Sequence, residues 1–180
     1  MNDESAIQYS PMSYDQFLDD VETIARSLEQ DNWTPDFIVG IGRGGLVPGT
    51  YLSHRLDIPL LSVDHSSKVH VFSDSLLVHL AAFIKMGERY LFVDDINDSG
   101  KTIGRFRSLL SENSGATDNF RFAVLISNLS SRERVDYAAQ TIDRRTDKSW
   151  FIFPWGAVAS KATQEREARE DPDRLGLKKG

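Results

Sequence analysis

Short apolar runs alternate along this chain with segments whose apolar residues recur at helical spacing. Apolar residues at intervals of three and four up to Leu28 predict a first helix, and Ser13 can cap its N-terminus. Further helices are predicted at 46–56 and 101–110, and strands at 37–39, 58–63, 90–93, 120–127 and 137–142. Strands that alternate with helices predict an α/β domain with a mostly parallel twisted sheet flanked by helices.

The pattern is less regular between these elements and at the two ends. Residues 64–75 are polar, which predicts a long loop that closes as a lid. Residues 76–82 are apolar and predict a returning strand, although periodicity alone leaves a helix open. Residues 1–12 resemble a loose arm, 150–155 form an aromatic segment, and the highly charged residues 160–180 predict a disordered tail.

Length and charge narrow the classes of protein that fit. A chain of 180 residues suits one domain, predicted over 1–159, and its net charge of −6 argues against nucleic acid as a partner. It contains no cysteine, which excludes disulfides and thiolate metal sites. No apolar run approaches the ~20 residues that span a bilayer, and the first residues do not resemble a secretory signal. We therefore predict a cytoplasmic protein without a membrane partner.

A glycine-rich loop follows the first predicted strand of the sheet. Residues 40–45 satisfy G-x-G-x-x-G between a strand and a helix, and Asp64 lies where a dinucleotide-binding fold places a ribose-binding acid. Two features weigh against dinucleotide binding. Arg43 is unusual in a loop that approaches pyrophosphate through backbone atoms alone. Dinucleotide binding would also give no role to Asp94 and Asp95, which follow a later strand.

A second polar loop, Asp94–Thr102, follows the strand at 90–93. Its end resembles a nucleotide-triphosphate loop, but that motif requires a glycine where Asp95 stands, so we reject this function. The N–H groups that open the next helix can instead bind one phosphate, assisted by the loop's last residues: Ser99, Gly100, Lys101 and Thr102.

The carboxylates and the two loops together define a ligand. Asp94 and Asp95 can accept hydrogen bonds from vicinal sugar hydroxyls, or hold Mg²⁺ through water. Arg43 and the N–H groups beside it, including that of Gly44, can bind a second anion such as pyrophosphate. A sugar with a 5-phosphate and a 1-pyrophosphate is phosphoribosyl pyrophosphate.

Three motifs in this order resemble the purine branch of the type I phosphoribosyltransferases. Residues 91–102 resemble the family signature, 42–49 the pyrophosphate loop, and 150–155 the aromatic segment of xanthine–guanine and hypoxanthine enzymes. The resemblance implies a core at about 34–130 and a small base-binding hood formed by the N-terminal arm and about 131–159. It also implies a homodimer or homotetramer.

The resemblance implies a chemistry as well. The enzyme would transfer the 5-phosphoribosyl group from Mg²⁺-bound phosphoribosyl pyrophosphate to a 6-oxopurine, giving a nucleoside 5′-monophosphate and pyrophosphate. Asp98 would be the general acid/base near N7 of the base, with Asp94 and Asp95 at the ribose hydroxyls and the metal. Trp150 and Phe151 would stack on or border the purine.

Two positions depart from the family pattern. Asn128 stands where purine enzymes usually have a lysine that contacts the exocyclic oxygen of the base, and Gly156 stands where an acid usually assists Mg²⁺ binding. Asn128 can still donate to or accept from the base, but it carries no charge. These departures leave open a regulatory or nucleotide-binding protein with little catalysis. An orotate or adenine transferase fits the signature but fits the aromatic segment poorly.

Overall fold

The computed structural model describes the backbone of residues 7–64 and 70–170, and the side chains of 7–64 and 74–169. Its strands are β1 (Tyr9–Pro11), β2 (Phe37–Ile41), β3 (Leu60–Val63), β4 (Tyr90–Asn97), β5 (Phe120–Asn128), β6 (Tyr137–Ile142) and β7 (Trp150–Ile152). Its α-helices are α1 (Tyr14–Gln30), α2 (Gly42–Leu56), α3 (His70–Lys85), α4 (Lys101–Ser114) and α5 (Lys161–Glu170).

Five of the strands form one parallel sheet in the order β3-β2-β4-β5-β6. The chain leaves β2 toward one edge to form β3, then returns to form β4 on the other side of β2. The order therefore reverses between β2 and β4, and ligands of open α/β sheets bind at such a reversal, beyond the carboxyl ends of the strands. The predicted α/β class with a mostly parallel sheet is confirmed.

Apolar side chains of successive strand residues enter two cores, one on each face of the sheet. Ile38 and Leu91 pack on the face covered by α1 and α2, whereas Val39 and Phe92 pack on the face covered by α3 and α4. Because successive side chains of a strand point to opposite faces, a sheet with helices on both faces needs strands that are apolar throughout. This explains the unbroken apolar runs of the sequence.

The first helix forms where the sequence predicts it. The Ser13 hydroxyl accepts a hydrogen bond from the backbone N–H of Gln16 at 3.1 Å and caps α1. The apolar positions identified from their spacing, Phe17 through Leu28, are the ones that α1 buries.

The predicted strand at 76–82 is wrong, because these residues lie in α3. Leu77, Leu80, Ala81 and Ile84 are buried at intervals that match one face of a helix. Strand alternation would have placed His79 beside Leu77 and Ala81 in the core. The prediction of one loop over 64–75 is also wrong at its end, because α3 begins at residue 70. The part that carries His65 and Lys68 lies outside the described residues.

Both ends of the described chain are more ordered than the sequence suggests. The N-terminal arm forms β1, which pairs in parallel with the aromatic segment β7. Residues 161–170 form α5 instead of the expected disordered tail, and Ala168 is fully buried. Residues 171–180, the rest of that predicted tail, lie outside the described residues.

The second helix starts earlier than predicted. It begins at Gly42 instead of residue 46, so Pro48 lies inside α2 and not in its first turn. The glycine-rich segment is therefore the N-terminus of a helix. Within the described ranges, no helix is both long enough and apolar enough to cross a bilayer.

Candidate active site

The loop after β2 and the loop after β4 lie side by side at the reversal of strand order. Gly40 is in register with Val93 across the two strands. A Cβ on Gly45 would lie 2.9 Å from the carbonyl carbon of Val93 and 3.0 Å from Cα of Asp94. A Cβ on Gly44 would lie 2.6 Å from Cγ of Asp95. The glycines thus let the N-terminus of α2 lie directly against the Asp94–Asp95 pair.

Two carboxylates end the buried part of β4. The backbone N–H of Asp95 donates to Oδ1 of Asp94 at 3.0 Å, and that of Ile96 donates to Oδ1 of Asp95 at 2.7 Å. Burial raises the pKa of Asp95 to about 6. Burial and the adjacent Asp95 carboxylate raise the pKa of Asp94 well above its ordinary value.

The two adjacent carboxylates repel each other at the end of β4. The described residues contain no group of three or more acidic or histidine side chains that could hold a metal ion alone. A cation that also binds the ligand, or a ligand rich in hydroxyl donors, would relieve the repulsion between these carboxylates.

The contribution of Asp95 to the stability of metal-free protein is expected to fall as pH rises from about 4 toward 6. The unfolded chain releases the Asp95 proton near 3.8, whereas the folded chain retains it to about 6. The folded state therefore binds more protons at Asp95 between these pH values, and this contribution to the free energy of unfolding falls as pH rises through them. We expect the Tm of Asp95→Asn relative to wild type to rise with pH over this interval, as followed by circular dichroism.

The exposed carboxylate of Glu112 provides the control for this measurement. Glu112→Gln should reproduce the wild-type dependence of Tm on pH. Parallel curves for wild type and Asp95→Asn between pH 4 and 6 would contradict a raised pKa at Asp95.

A third carboxylate, Asp98, is held by an arginine that the sequence did not single out. Arg144 Nε lies 3.0 Å from each carboxylate oxygen of Asp98, and Arg144 Nη2 lies 2.8 Å from Oδ2. The Arg144 side chain is only 6% exposed and that of Asp98 17% exposed. The position of Arg144 just after β6, at the carboxyl edge of the sheet, was the available signal.

The carboxamide of Asn128 is engaged within the protein. Its Nδ2 donates to the backbone oxygen of Asp98 at 3.0 Å, and its Oδ1 accepts from the backbone N–H groups of Ser130 and Arg144. The residue is 5% exposed. Its contact with a base stays a prediction, whereas its contact with the Asp98 loop is a feature of the structure.

The predicted phosphate loop opens α4 and is braced from the β5–β6 connection. Gly100 is the N-cap with a φ of 84°, and a Cβ there would lie 2.8 Å from the Glu133 nitrogen. The buried Asn97 donates from Nδ2 to the Glu133 carbonyl at 2.9 Å and accepts from the Ser131 hydroxyl at 3.0 Å. Glycine is needed here for both the left-handed conformation and the close approach. Ser99 precedes Gly100, and Lys101 and Thr102 follow it in the first turn of α4.

The predicted pyrophosphate-binding arginine lies at the start of α2. Arg43 is 95% exposed, and its Nη2 lies 3.8 Å from a Glu167 carboxylate oxygen of α5. α2 has no side-chain cap at its N-terminus. Its first N–H groups and Arg43 therefore form a cationic end beside Asp95.

The aromatic segment divides between core and site. Trp155 packs edge-on against Phe17 with ring centroids 5.4 Å apart, in the core under α1. Phe151 lies under the Arg144 guanidinium, whose Cζ is 5.2 Å from the ring centroid. Trp150 precedes it in β7, and strand alternation directs its side chain to the opposite face. Phe151, one of the two predicted base-binding aromatics, therefore contacts the arginine that holds Asp98.

A cavity of about 230 Å³ opens at this cluster. Its lining residues come from three segments at the carboxyl edge of the sheet: Asp98, Ser99, Asn128, Ser130, Arg132, Arg144, Arg145 and Lys148. Four of these are cationic and one is a carboxylate, so the cavity suits a ligand that presents hydrogen-bond acceptors.

The fold and the paired loops define a class, and comparison with known families agrees. The chain belongs to the phosphoribosyltransferase family, because the model of the phosphoribosyl transferase domain matches residues 13–160. The family inferred from the three motifs is thereby confirmed.

Curated relatives and solved structures extend this assignment. The chain is 30% identical over 157 residues to a xanthine-guanine phosphoribosyltransferase of Desulfotalea psychrophila, covering 86% of this chain and 90% of that protein. It is 32% identical over 151 residues to the protein of the same name from Cereibacter sphaeroides, covering 80% and 84%. Both relatives carry a purine-branch name, in agreement with the resemblance.

Two solved structures show that the fold is shared. A Helicobacter pylori xanthine-guanine-hypoxanthine phosphoribosyltransferase superposes with a TM-score of 0.63 at 20% identity, covering 89% of this chain and 99% of that one. A Neisseria gonorrhoeae protein of unassigned function with bound ppGpp superposes with a TM-score of 0.67 at 20% identity, covering 93% and 99%.

Proposed function

We propose that this protein transfers the 5-phosphoribosyl group from phosphoribosyl pyrophosphate to a 6-oxopurine, giving the nucleoside 5′-monophosphate and pyrophosphate. The main supporting observation is that the Asp94–Asp95 pair lies beside two helix N-termini, at the reversal of strand order. A ligand with hydroxyls between two phosphate groups complements that arrangement, and the family membership supports it.

Each loop has a proposed role in holding the sugar. The helix opening at 99–102 binds the 5-phosphate through N–H groups and hydroxyls, and Arg43 with the Gly44 segment binds the pyrophosphate. Asp94 and Asp95 accept hydrogen bonds from the ribose hydroxyls and hold Mg²⁺ through water. Burial raises the pKa of both carboxyls, and a bound divalent cation would favour their ionised form, which supports a metal here. When bound, Mg²⁺ supplies charge neutralisation for the departing pyrophosphate.

Asp98 is the proposed proton acceptor of the reaction. A purine that carries its imidazole proton on N7 presents the lone pair of N9 to the anomeric carbon. The N9–carbon bond forms as the carbon–pyrophosphate bond breaks, and the Asp98 carboxylate takes the proton from N7. The cavity at Asp98 is smaller than the pockets of about 300–1,000 Å³ that hold drug-sized ligands, so it suits a single base.

The lining of this cavity supports an oxopurine. Arg132, Arg145 and Lys148 border it in addition to Arg144, so four cationic side chains and one carboxylate line the space. Carbonyl oxygens of a base accept hydrogen bonds from such donors, whereas exocyclic amino groups do not. The printed names of both curated relatives include xanthine and guanine, which are oxopurines.

The β1–β7 pair and the segment after β5 form the proposed hood over the base, with Phe151 bordering the base from the face of β7 that carries Arg144. The contact of Trp150 with the base stays a sequence prediction. We also propose a cytoplasmic homodimer or homotetramer, which light scattering with size-exclusion chromatography would test.

The direct test is transfer activity. Purified protein with Mg²⁺ and phosphoribosyl pyrophosphate is incubated separately with hypoxanthine, guanine, xanthine, adenine, orotate and uracil, and the nucleotide is detected by mass. Product from a 6-oxopurine is expected. Product only from another base would overturn the proposed 6-oxopurine substrate. The absence of product with every base would overturn the proposed enzymatic activity.

A second candidate function is a regulatory or nucleotide-binding protein with little catalysis. It is favoured because Arg144 contacts both carboxylate oxygens of Asp98, and because Asn128 stands where the family usually has a lysine. Nucleotide binding by calorimetry, in protein that makes no product with any of the six bases, would favour this regulatory function.

Arg43→Gln is expected to raise the KM for phosphoribosyl pyrophosphate about tenfold, because one charged hydrogen bond to phosphate is lost. The KM for the base should remain near its wild-type value. Initial rates over a range of phosphoribosyl pyrophosphate concentrations measure this effect.

Glu167→Gln is the matched variant, since Glu167 lies 3.8 Å from Arg43 and would compete with the pyrophosphate. Its KM for phosphoribosyl pyrophosphate should equal the wild-type value or fall below it. An unchanged KM in Arg43→Gln would remove Arg43 from the pyrophosphate site.

A further inference from the structure

Arg144 closes a network between three segments that are distant in sequence. Its guanidinium binds the Asp98 carboxylate, and its backbone N–H donates to Oδ1 of Asn128 at 3.1 Å. Asn128 in turn donates to the Asp98 backbone oxygen. The loop after β4, the end of β5 and the segment between β6 and β7 are thereby tied together at the cavity.

The Arg144 side chain is itself fixed in place. Its Nη1 donates to the carbonyl oxygen of Ser149 at 2.7 Å and to that of Asp147 at 3.3 Å. The guanidinium therefore uses one edge to bind the carboxylate and another to bind the backbone that leads into β7. Because the planar guanidinium is fixed by the backbone on one edge, the Asp98 carboxylate bound to its other edge has little freedom to rotate.

The same guanidinium contacts the strand that is proposed to border the base. Its Cζ lies 5.2 Å from the centroid of the Phe151 ring. One side chain therefore sets both the orientation of the Asp98 carboxylate and its position relative to β7. Catalysis requires these two elements to be aligned on the same base.

Arg144 also supplies the positive charge that Asn128 lacks. Asp98 is largely buried, and a buried carboxylate requires a cation or several donors. Arg144 forms an ion pair with Asp98, with Nη2 2.8 Å from Oδ2. The cation thus reaches the site from the β6–β7 segment and not from the end of β5.

We propose that Arg144 is a positioning residue for the transfer reaction, which holds the Asp98 carboxylate aimed at the base while anchoring the segment that leads to β7. The proposal rests on the proposed function. It assigns Arg144 an effect on the rate of the chemical step that passes through Asp98, and little effect on the binding of phosphoribosyl pyrophosphate.

The test is a double-substitution cycle on kcat, with the base that the wild type uses. Arg144→Met should lower kcat about 100-fold, the scale of a misplaced catalytic group, with the KM for phosphoribosyl pyrophosphate unchanged within about twofold. Arg144→Lys keeps the charge but loses the fork, and should recover about tenfold of that loss.

The decisive comparison uses Asp98→Asn alone and combined with Arg144→Met. If Arg144 acts through Asp98, the double variant should have the kcat of Asp98→Asn within about twofold. Losses that multiply, or a kcat for Arg144→Met within about twofold of wild type, would overturn the proposal.

Further variants distinguish a positioning role of Arg144 from a general effect on folding. Arg55 binds Glu22 and Glu29 near the far end of α2, about 20 Å along the helix from Arg43, so Arg55→Met removes a similar ion pair without affecting kcat. If Arg144→Met does not fold, the kcat of Arg144→Lys decides: a loss is expected, and a wild-type value overturns the proposal. Wild-type protein that makes no nucleotide overturns the proposed function, and this inference with it.

Discussion

Asp98→Asn is expected to lower kcat by about 10²–10⁴-fold, the range that positioned general acid–base groups contribute. The amide has nearly the same shape but cannot take the proton from N7 of the base. The residues proposed to bind the sugar belong to other parts of the site, so the KM for phosphoribosyl pyrophosphate should change little. Steady-state kinetics with both substrates varied measures the two effects separately.

The environment of Asp98 affects how this experiment must be run. The substitution leaves the buried guanidinium of Arg144 without its carboxylate partner. Breaking a buried ion pair in this way lowers the free energy of unfolding by about 3–5 kcal/mol. Rates should therefore be measured well below the Tm of the variant, with folding checked by circular dichroism.

A second aspartate–arginine pair provides the matched control. Asp31 pairs with Arg121 near the start of β5, at the edge of the sheet opposite the site. Asp31→Asn should lower stability without lowering kcat at temperatures where it is folded. A wild-type kcat in Asp98→Asn would remove Asp98 from the chemistry.

Gly45→Ala is expected to lower the free energy of unfolding by about 3 kcal/mol or more, at the upper end of the cost of overpacking. The added methyl group would meet the Val93 carbonyl carbon at 2.9 Å and Cα of Asp94 at 3.0 Å. These are backbone atoms of a central strand, paired on both sides, so neither can move aside without disrupting the sheet. Relief requires α2 to shift away from β4, and that shift would also separate the two halves of the site.

Urea unfolding followed by tryptophan fluorescence measures this loss. Gly156→Ala is the matched control, because a Cβ there has no atom within 4 Å and its stability should change by less than about 0.5 kcal/mol. A Gly45→Ala protein as stable as Gly156→Ala would show that α2 can withdraw from β4 at little cost.

The sequence analysis succeeded where local pattern and chemistry agreed. The apolar run at 90–93 lies in β4, and the residues at 99–102 open α4 as expected. It failed at 76–82, where a short apolar run fits either period and the burial of one helical face decides between them. It also failed at 161–170, where the charged composition suggested disorder and the structure forms a helix that buries Ala168.

The amino-acid sequence by itself determined the alternation of helices and strands, the two ligand-facing loops and the family. These depend on residues close together in the chain, where spacing and residue type carry the information. Only the tertiary structure placed Arg144 on Asp98, 46 positions away, and Asn97 against Ser131 and Glu133. Such contacts follow from the order of strands in the sheet. The register of β4, β5 and β6 brings their carboxyl ends to one edge, and no local pattern records which side chains meet there.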